Sequence, residues 1–297
     1  MSDDRHPLCQ GPDPRPTAPV FDVPEGAIDC HAHVFGPNEK YPFSPKRGYT
    51  PPEASLETFL ELHNSLGGID RAVLTQPSVY GTDNSCMLDA CDQMRGKFMA
   101  IAAVDADVTD KELESLHDRR VRGIRVNMVD KGGMPFEDIN AVKSFTERIK
   151  DFGWHLEVLI HVNEFEDLRA TMNAMAVPVS VGHLGYMKTS NPIDNPGFQD
   201  FLNLVRDGNC WVKLSGSYRI TTEEEPPYSD VIPYAQEIIK ANEDRIIWGT
   251  DWPHPWVFGH MPNDGALMNQ LADWVPDPKI RRKILVDNPK MLFGFSD

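Results

Sequence analysis

Arg245-Ile-Ile-Trp-Gly-Thr-Asp-Trp-Pro-His-Pro255 is the stretch that decides the reading of this chain. It begins as a short apolar strand, Arg245 to Trp248, and runs into a carboxylate at Asp251. Pro253 and Pro255 stop any further ladder, because proline has no N–H to donate. An unpaired carboxylate is costly to bury, so a strand that ends on one is expected to aim it at a polar cleft. The same sign stands near the other end of the chain. Ala27-Ile-Asp-Cys-His-Ala-His33 is a short strand closing on two histidines. They are two residues apart and so share one face of a strand. The two strand ends are expected to meet around one active site.

Between them, short apolar runs alternate with amphipathic ones. Strands are expected at 27–33, 71–76, 98–104, 122–127, 155–161, 178–183, 210–215 and 245–250. Helices are expected near 55–66, 85–95, 108–118, 137–151, 164–174, 197–207, 230–241 and 264–274, with a last one near 279–286. Strict alternation implies parallel strands joined by crossover helices. Eight such units favour a closed (β/α)8 TIM barrel over an open sheet, and 297 residues suit one. No Gly-x-Gly-x-x-Gly follows the first strand, which counts against a dinucleotide fold. Residues 1–25, rich in Pro and Asp, are read as an N-terminal arm lying on the surface or frayed, and 26–297 as a single barrel domain. The segments 36–53 and 223–228 are expected to be loops over the barrel mouth.

Composition narrows the partners. A net charge of −16 argues against nucleic acid or an anionic membrane. No apolar run nears the ~18 residues that span a bilayer, and the polar start is unlike a secretory signal. The cysteines at 9, 30, 86, 91 and 210 are scattered and form no Cys-x-x-Cys, so a cytoplasmic, reducing setting fits. The oligomeric state is left open.

Active sites of such barrels lie at the C-terminal strand ends. The polar residues expected there are His31, His33, Gln76, Ser78, Asp105, Arg125, Asn127, His161, His183, Lys213, Ser215 and Asp251. Two imidazoles and a carboxylate can hold a divalent metal, or can bind and polarise a carbonyl. Asp251 suits a general base; its bland alternative is a buried salt bridge. His183 opens a turn after a hydrophobic strand and reads as a site residue, with a turn histidine bonded to backbone as its bland alternative. An inward Arg125 suits bidentate capture of a carboxylate, against pairing with a neighbouring acid such as Asp105. Arg219 and Lys131 are further candidate anion contacts, with surface exposure as the alternative. Thr82 and Asp83 read as helix caps. His6, His63, His117 and His155 read as surface or packing residues, and His254 and His260 as rim residues.

Several phrases together carry a resemblance: Gly26-Ala-Ile-Asp-Cys-His-Ala-His-Val-Phe-Gly-Pro37, Tyr41-Pro-Phe-Ser-Pro45, Gly81-Thr-Asp-Asn84, Arg122-Gly-Ile-Arg-Val-Asn127 and Ile247-Trp-Gly-Thr-Asp-Trp-Pro-His-Pro255. With His183, they resemble the amidohydrolase superfamily, in its 2-pyrone-4,6-dicarboxylate lactonase-like branch, from about residue 25 to Phe293. The resemblance implies a distorted (β/α)8 barrel that hydrolyses a small anionic lactone in aromatic catabolism. It implies that Asp251 activates water and then protonates the leaving oxygen. His31, His33 and His183 would polarise the carbonyl; Ser78, Arg125 and Arg219 would hold substrate carboxylates. The chain departs from the branch at Asp130-Lys131, where an arginine is expected, and at Leu159, where a tyrosine is. His161 then joins the substrate-binding candidates, and a muconolactone or sulfonated muconolactone becomes an alternative substrate. The fourth strand lacks the lysine of binuclear members. The resemblance leaves two cofactor states: none, or one divalent ion, Zn²⁺ by preference, on His31, His33 and Asp251, with His161 a weaker ligand. A metal-dependent decarboxylase and a barrel that only binds an anion are the competing readings.

Overall fold

A computed structural model describes residues 6–130 and 132–296. Eight strands form one parallel sheet in sequence order: β1 (Ile28–Ala32), β2 (Arg71–Thr75), β3 (Phe98–Ala102), β4 (Val121–Asn127), β5 (His155–Leu159), β6 (Val179–Val181), β7 (Cys210–Leu214) and β8 (Ile246–Trp248). Helices follow the strands in turn: α1 (Leu56–Ser65), α2 (Ser85–Gln93), α3 (Asp110–Asp118), α4 (Ile139–Ile149), α5 (Leu168–Asn173), α6 (Pro196–Asp207), α7 (Ile232–Ala241) and α8 (Asp264–Trp274). The chain therefore folds as a nearly closed (β/α)8 barrel, as the strand–helix alternation predicts. The expected helix at 279–286 is instead two short ones, α9 (Pro278–Arg282) and α10 (Asn288–Phe293), joined by a π turn at Lys283–Asp287. Pro289 explains the break: it cannot donate to an α-ladder, and its ring crowds the carbonyl four residues back, so the turn before it widens.

Both ends of the chain fix the barrel. Ile28, Cys30, Val73, Met99, Ile101, Trp211 and Ile247 pack inside it with Phe293 and Phe295 of the C-terminal segment. Residues 8–20 are tied to the barrel domain by hydrogen bonds. Leu8 bridges Thr50, and the amides of Thr17 and Val20 donate to the side chains of Asn263 and Asn269 at α8.

The seam between β8 and β1 is not an ordinary ladder. The chain after β8 crosses to β1 through Asp251 N–H to the His31 carbonyl (2.8 Å) and His33 N–H to the Trp252 carbonyl (2.8 Å). Below them, the Asp29 carboxylate fills the missing rung. It accepts from the Thr250 amide (3.0 Å), the Thr250 hydroxyl (2.6 Å) and the His31 amide (3.1 Å), and meets His63 of α1 at 3.2 Å. The pairing of β1 with β2 shifts register between Asp29 and Ala32; His31 lies within that irregularity and His33 just beyond it, and both turn to the site. Gly249 makes the approach possible: a Cβ there would lie 2.6 Å from the His31 nitrogen. Gly249→Ala is therefore expected to lower stability by about 2–3 kcal/mol, whereas Gly259→Ala, which meets open space, stays within about 0.5 kcal/mol of wild type. Urea midpoints of the two variants check this, and equal midpoints would count against a tight seam.

Candidate active site

Asp251 is fully buried at the end of β8, in a left-handed backbone conformation (φ 64°). That strain is of the kind a surrounding network must hold in place. Its Oδ2 accepts from the Tyr218 hydroxyl (2.6 Å) and from Arg219 Nε (2.7 Å). Its Oδ1 has no hydrogen-bond partner and faces His31 Nε2 at 3.5 Å and His33 Nε2 at 3.7 Å. His183, also left-handed (φ 51°), places Nδ1 3.8 Å from Asp251 Oδ2 and 3.0 Å from the Ser215 hydroxyl. The rings of His33 and His183 both lie 5.0 Å, centroid to centroid, from that of His31. The four residues at the ends of β1, β6 and β8 thus converge on one point, as the strand-end reading expects.

Above them opens a small cavity. Ser78 and Arg125 line it, as do Arg219, Leu159 and Asp130. Lys131 lies outside the described residues. Arg125 does not pair with Asp105, which accepts from Thr82 instead (2.7 Å). Arg125 Nη1 donates to the Gln76 carbonyl (2.9 Å), and Nε lies 3.7 Å from Glu157. Arg219 is partly buried, its side chain bonded to Asp251 and to the Pro255 carbonyl (2.9 Å). His161 sits elsewhere. β5 ends at Leu159, so the alternation of faces stops there; His161 bonds the Tyr186 carbonyl through Nδ1 (2.8 Å) and packs on the Tyr186 ring, outside the cavity wall. His254 is not on the rim either: it is buried against Asp264 (3.1 Å).

Sequence reasoning passed over Tyr49, Tyr186 and Trp256 of the wall, which loops carry. It also passed over Glu157, and there a signal existed. His155, Glu157 and Leu159 alternate on one face of β5, as Trp211, Lys213 and Ser215 do on β7. Glu157 is fully buried and ion-paired with Lys213, which is itself without exposure. Breaking such a pair typically costs about 3–5 kcal/mol.

Charge states follow from these surroundings. Burial pushes the Asp251 carboxyl up, but Arg219 and the nearby imidazoles outweigh it and hold it well below the carboxylate range. Burial keeps the His31 and His33 rings neutral, with Lys213 adding to the effect at His31. Burial lowers His183 to about 3 against the pull of Asp251.

A divalent ion needs lone pairs as well as spacing. Among the described residues, His31, His183 and Asp251 offer ligand atoms within 4.8 Å of one another. The third member of this set is His183; His33, whose Nδ1 is held by the Thr75 carbonyl (2.7 Å), turns its Nε2 to Asp251 Oδ1 at 3.7 Å. The spacing suits a cation, but the hydrogen bonding does not. The Lys213 ammonium has three protons and three acceptors: the Cys30 carbonyl (2.8 Å), Glu157 Oε2 and His31 Nδ1 (3.2 Å). His31 Nδ1 is therefore an acceptor, and its ring proton sits on Nε2, the atom that faces Asp251. A protonated nitrogen offers a metal nothing.

The depressed His183 has a consequence for stability. Its folded pKa lies below the unfolded value of about 6.5, so its contribution is complete above that pH and is lost as acid protonates the unfolded chain. By pH 3 the loss is on the order of 4 kcal/mol for this group. Urea midpoints are expected to fall from pH 6.5 to 4, and His183→Gln should flatten that slope. An unchanged slope would show that the ring titrates normally.

The amidohydrolase family profile matches residues 28–295. A 4-sulfomuconolactone hydrolase from Hydrogenophaga intermedia is 37% identical over 290 residues, covering 97% of this chain and 95% of the relative. A 2-pyrone-4,6-dicarboxylate hydrolase from Comamonas testosteroni is 36% identical, covering 94% and 93%. The crystal structure of a probable 2-pyrone-4,6-dicarboxylic acid hydrolase from Acinetobacter baumannii, with citric acid bound, superposes with a TM-score of 0.78 at 29% identity, covering 91% of this chain and all of that one. With the barrel, the four strand-end residues and these likenesses together, this chain belongs to the amidohydrolase family.

Proposed function

We propose that this chain hydrolyses a small anionic lactone of aromatic catabolism, with Asp251 activating the attacking water. The observation that carries the reading is the unpartnered Asp251 Oδ1 at the floor of a cation-lined cavity. A carboxylate with one oxygen clamped and the other free has one place to receive a proton. Water held at Oδ1 attacks the ring carbonyl, and Asp251 takes the proton. His31 and His183 stand at the carbonyl oxygen and stabilise the charge that develops on it, while His33 stands beside the water. The tetrahedral intermediate then breaks its ring C–O bond. Asp251 returns the proton to the leaving oxygen, and the product is an open-chain acid.

Arg219 links binding to basicity. It lines the cavity while it holds Asp251 Oδ2. An anionic arm of the substrate competes for the guanidinium, and as Arg219 turns towards it the Asp251 carboxylate becomes a stronger base. Arg125 and Ser78 hold the same or a second anionic group. The relatives named above act on a sulfonated muconolactone and on a pyrone dicarboxylate. Asp130 in the wall disfavours a second carboxylate at that side, so we place the muconolactone type first. The reading takes 26–297 as one catalytic domain and 1–25 as an arm. We place the protein in the cytoplasm; the five free cysteines suit a reducing compartment, and no described helix is long and apolar enough to cross a membrane.

The test is an absorbance time course with 4-sulfomuconolactone, a muconolactone and 2-pyrone-4,6-dicarboxylate, each with and without a chelator. Turnover of a lactone, unaffected by chelation, is expected; CO₂ release that a chelator abolishes would favour a decarboxylase. Asp251→Asn should lower kcat by about 10²–10⁴-fold in a folded protein. Arg125→Met should raise KM by roughly 10–100-fold, the worth of one charge-assisted hydrogen bond. Full activity in the Asp251 variant would end the mechanism.

A further inference from the structure

Lys213 takes no part in the reaction as written, yet it is a fully buried cation directly beneath it. An ion pair so deep is a poor source of stability, since apolar residues of similar volume often serve as well. Its neighbours suggest another use. Glu157 Oε1 lies 3.6 Å from His31 Nδ1. Without Lys213, that carboxylate would accept a proton from Nδ1, and Nε2 would become a lone pair. With Lys213 present, an N–H of the ammonium already occupies Nδ1 (3.2 Å), and the ring proton is confined to Nε2.

We propose that Lys213 is a positioning residue that fixes His31 as a hydrogen-bond donor at the lactone carbonyl. His33 is set the opposite way. Its Nδ1 can only donate to the Thr75 carbonyl (2.7 Å), so its Nε2 is an acceptor. Two histidines two residues apart on one strand thus hold different roles: His31 offers a proton to the developing oxyanion, and His33 accepts from the water beside Asp251. The same arrangement keeps a divalent ion off His31 Nε2. Lys213 is the residue that decides between a proton-donating site and a metal-binding one.

The kinetic part of the test rests on the lactonase reading; the spectroscopic part does not. Long-range ¹H–¹⁵N correlation spectra of ¹⁵N-histidine-labelled protein at pH 7, assigned with His31→Asn, report which His31 nitrogen carries the proton. Wild type should show Nε2 protonated and Nδ1 not. Lys213→Met should move the proton to Nδ1, lower kcat by about 10–100-fold with KM within about twofold, and bind added zinc more tightly than wild type. Glu157→Gln, which leaves the Lys213 contact in place, should keep the wild-type pattern. A purely structural lysine would lower the melting temperature without moving the proton. An unprotonated Nε2 in wild type, whether bare or on zinc, overturns the proposal, and this result needs no variant to fold. A folded Lys213→Met protein with an unchanged His31 pattern overturns it too. Absence of turnover on every lactone, with the wild-type pattern as expected, would instead fault the substrate.

Discussion

The structure depends on how its first strand is closed against its last, where Asp29 meets Thr250, 221 residues further on. Most pairs in the barrel are joined by backbone ladders. Between β8 and β1 the ladder is incomplete, and the Asp29 carboxylate takes the place of a missing rung. Ionised acceptors form the stronger kind of hydrogen bond, and this one meets two amides, a hydroxyl and an imidazole at once. Closing the seam also builds the site. The amide of Asp251 donates to the carbonyl of His31, so the distance between the two side chains follows from the hydrogen bond that shuts the barrel. Architecture and chemistry share the same few atoms here.

A second consequence of the closure is local charge. The chain as a whole is strongly acidic, but the cup at the strand ends holds Arg125, Lys213 and Arg219 against Glu157 and Asp251. Each cation touches a carboxylate, and each carboxylate is thereby kept ionised in a place where burial alone would protonate it. The global charge therefore says little about the ligand. What matters is which of these pairs a ligand can enter, and Arg219, on the cavity wall, is the member most accessible to it.

Much of this was legible in the sequence. Strand–helix alternation gave the barrel, because a parallel sheet leaves a strong pattern of short apolar runs. His31, His33, His183 and Asp251 stood out because charge and imidazole interrupt those runs at their ends. Leu159 and His161 show where the reading fails: alternation predicts that both face inward, but it holds only as far as the strand lasts, and β5 stops between them. Arg219 was placed on a loop without its partner, since a loop has no period from which to infer a contact. Glu157 was within reach of the period-2 rule, and Lys213 was named without its partner. Attention to strand ends hid the pair, because Glu157 sits one layer lower.

The seam also bears on how the chain reaches its fold. Asp29 and the inner face of β1 are made early, but their partners at Thr250 and Ile247 follow more than two hundred residues later. At typical synthesis rates of about 5–20 residues per second, the gap is roughly 10–45 s. Through that interval β1 carries an unpaired edge and a carboxylate without its rung. Contacts of such long sequence separation form slowly once the chain is complete, because loop closure must precede them. The first strand is thus the last to gain its second neighbour.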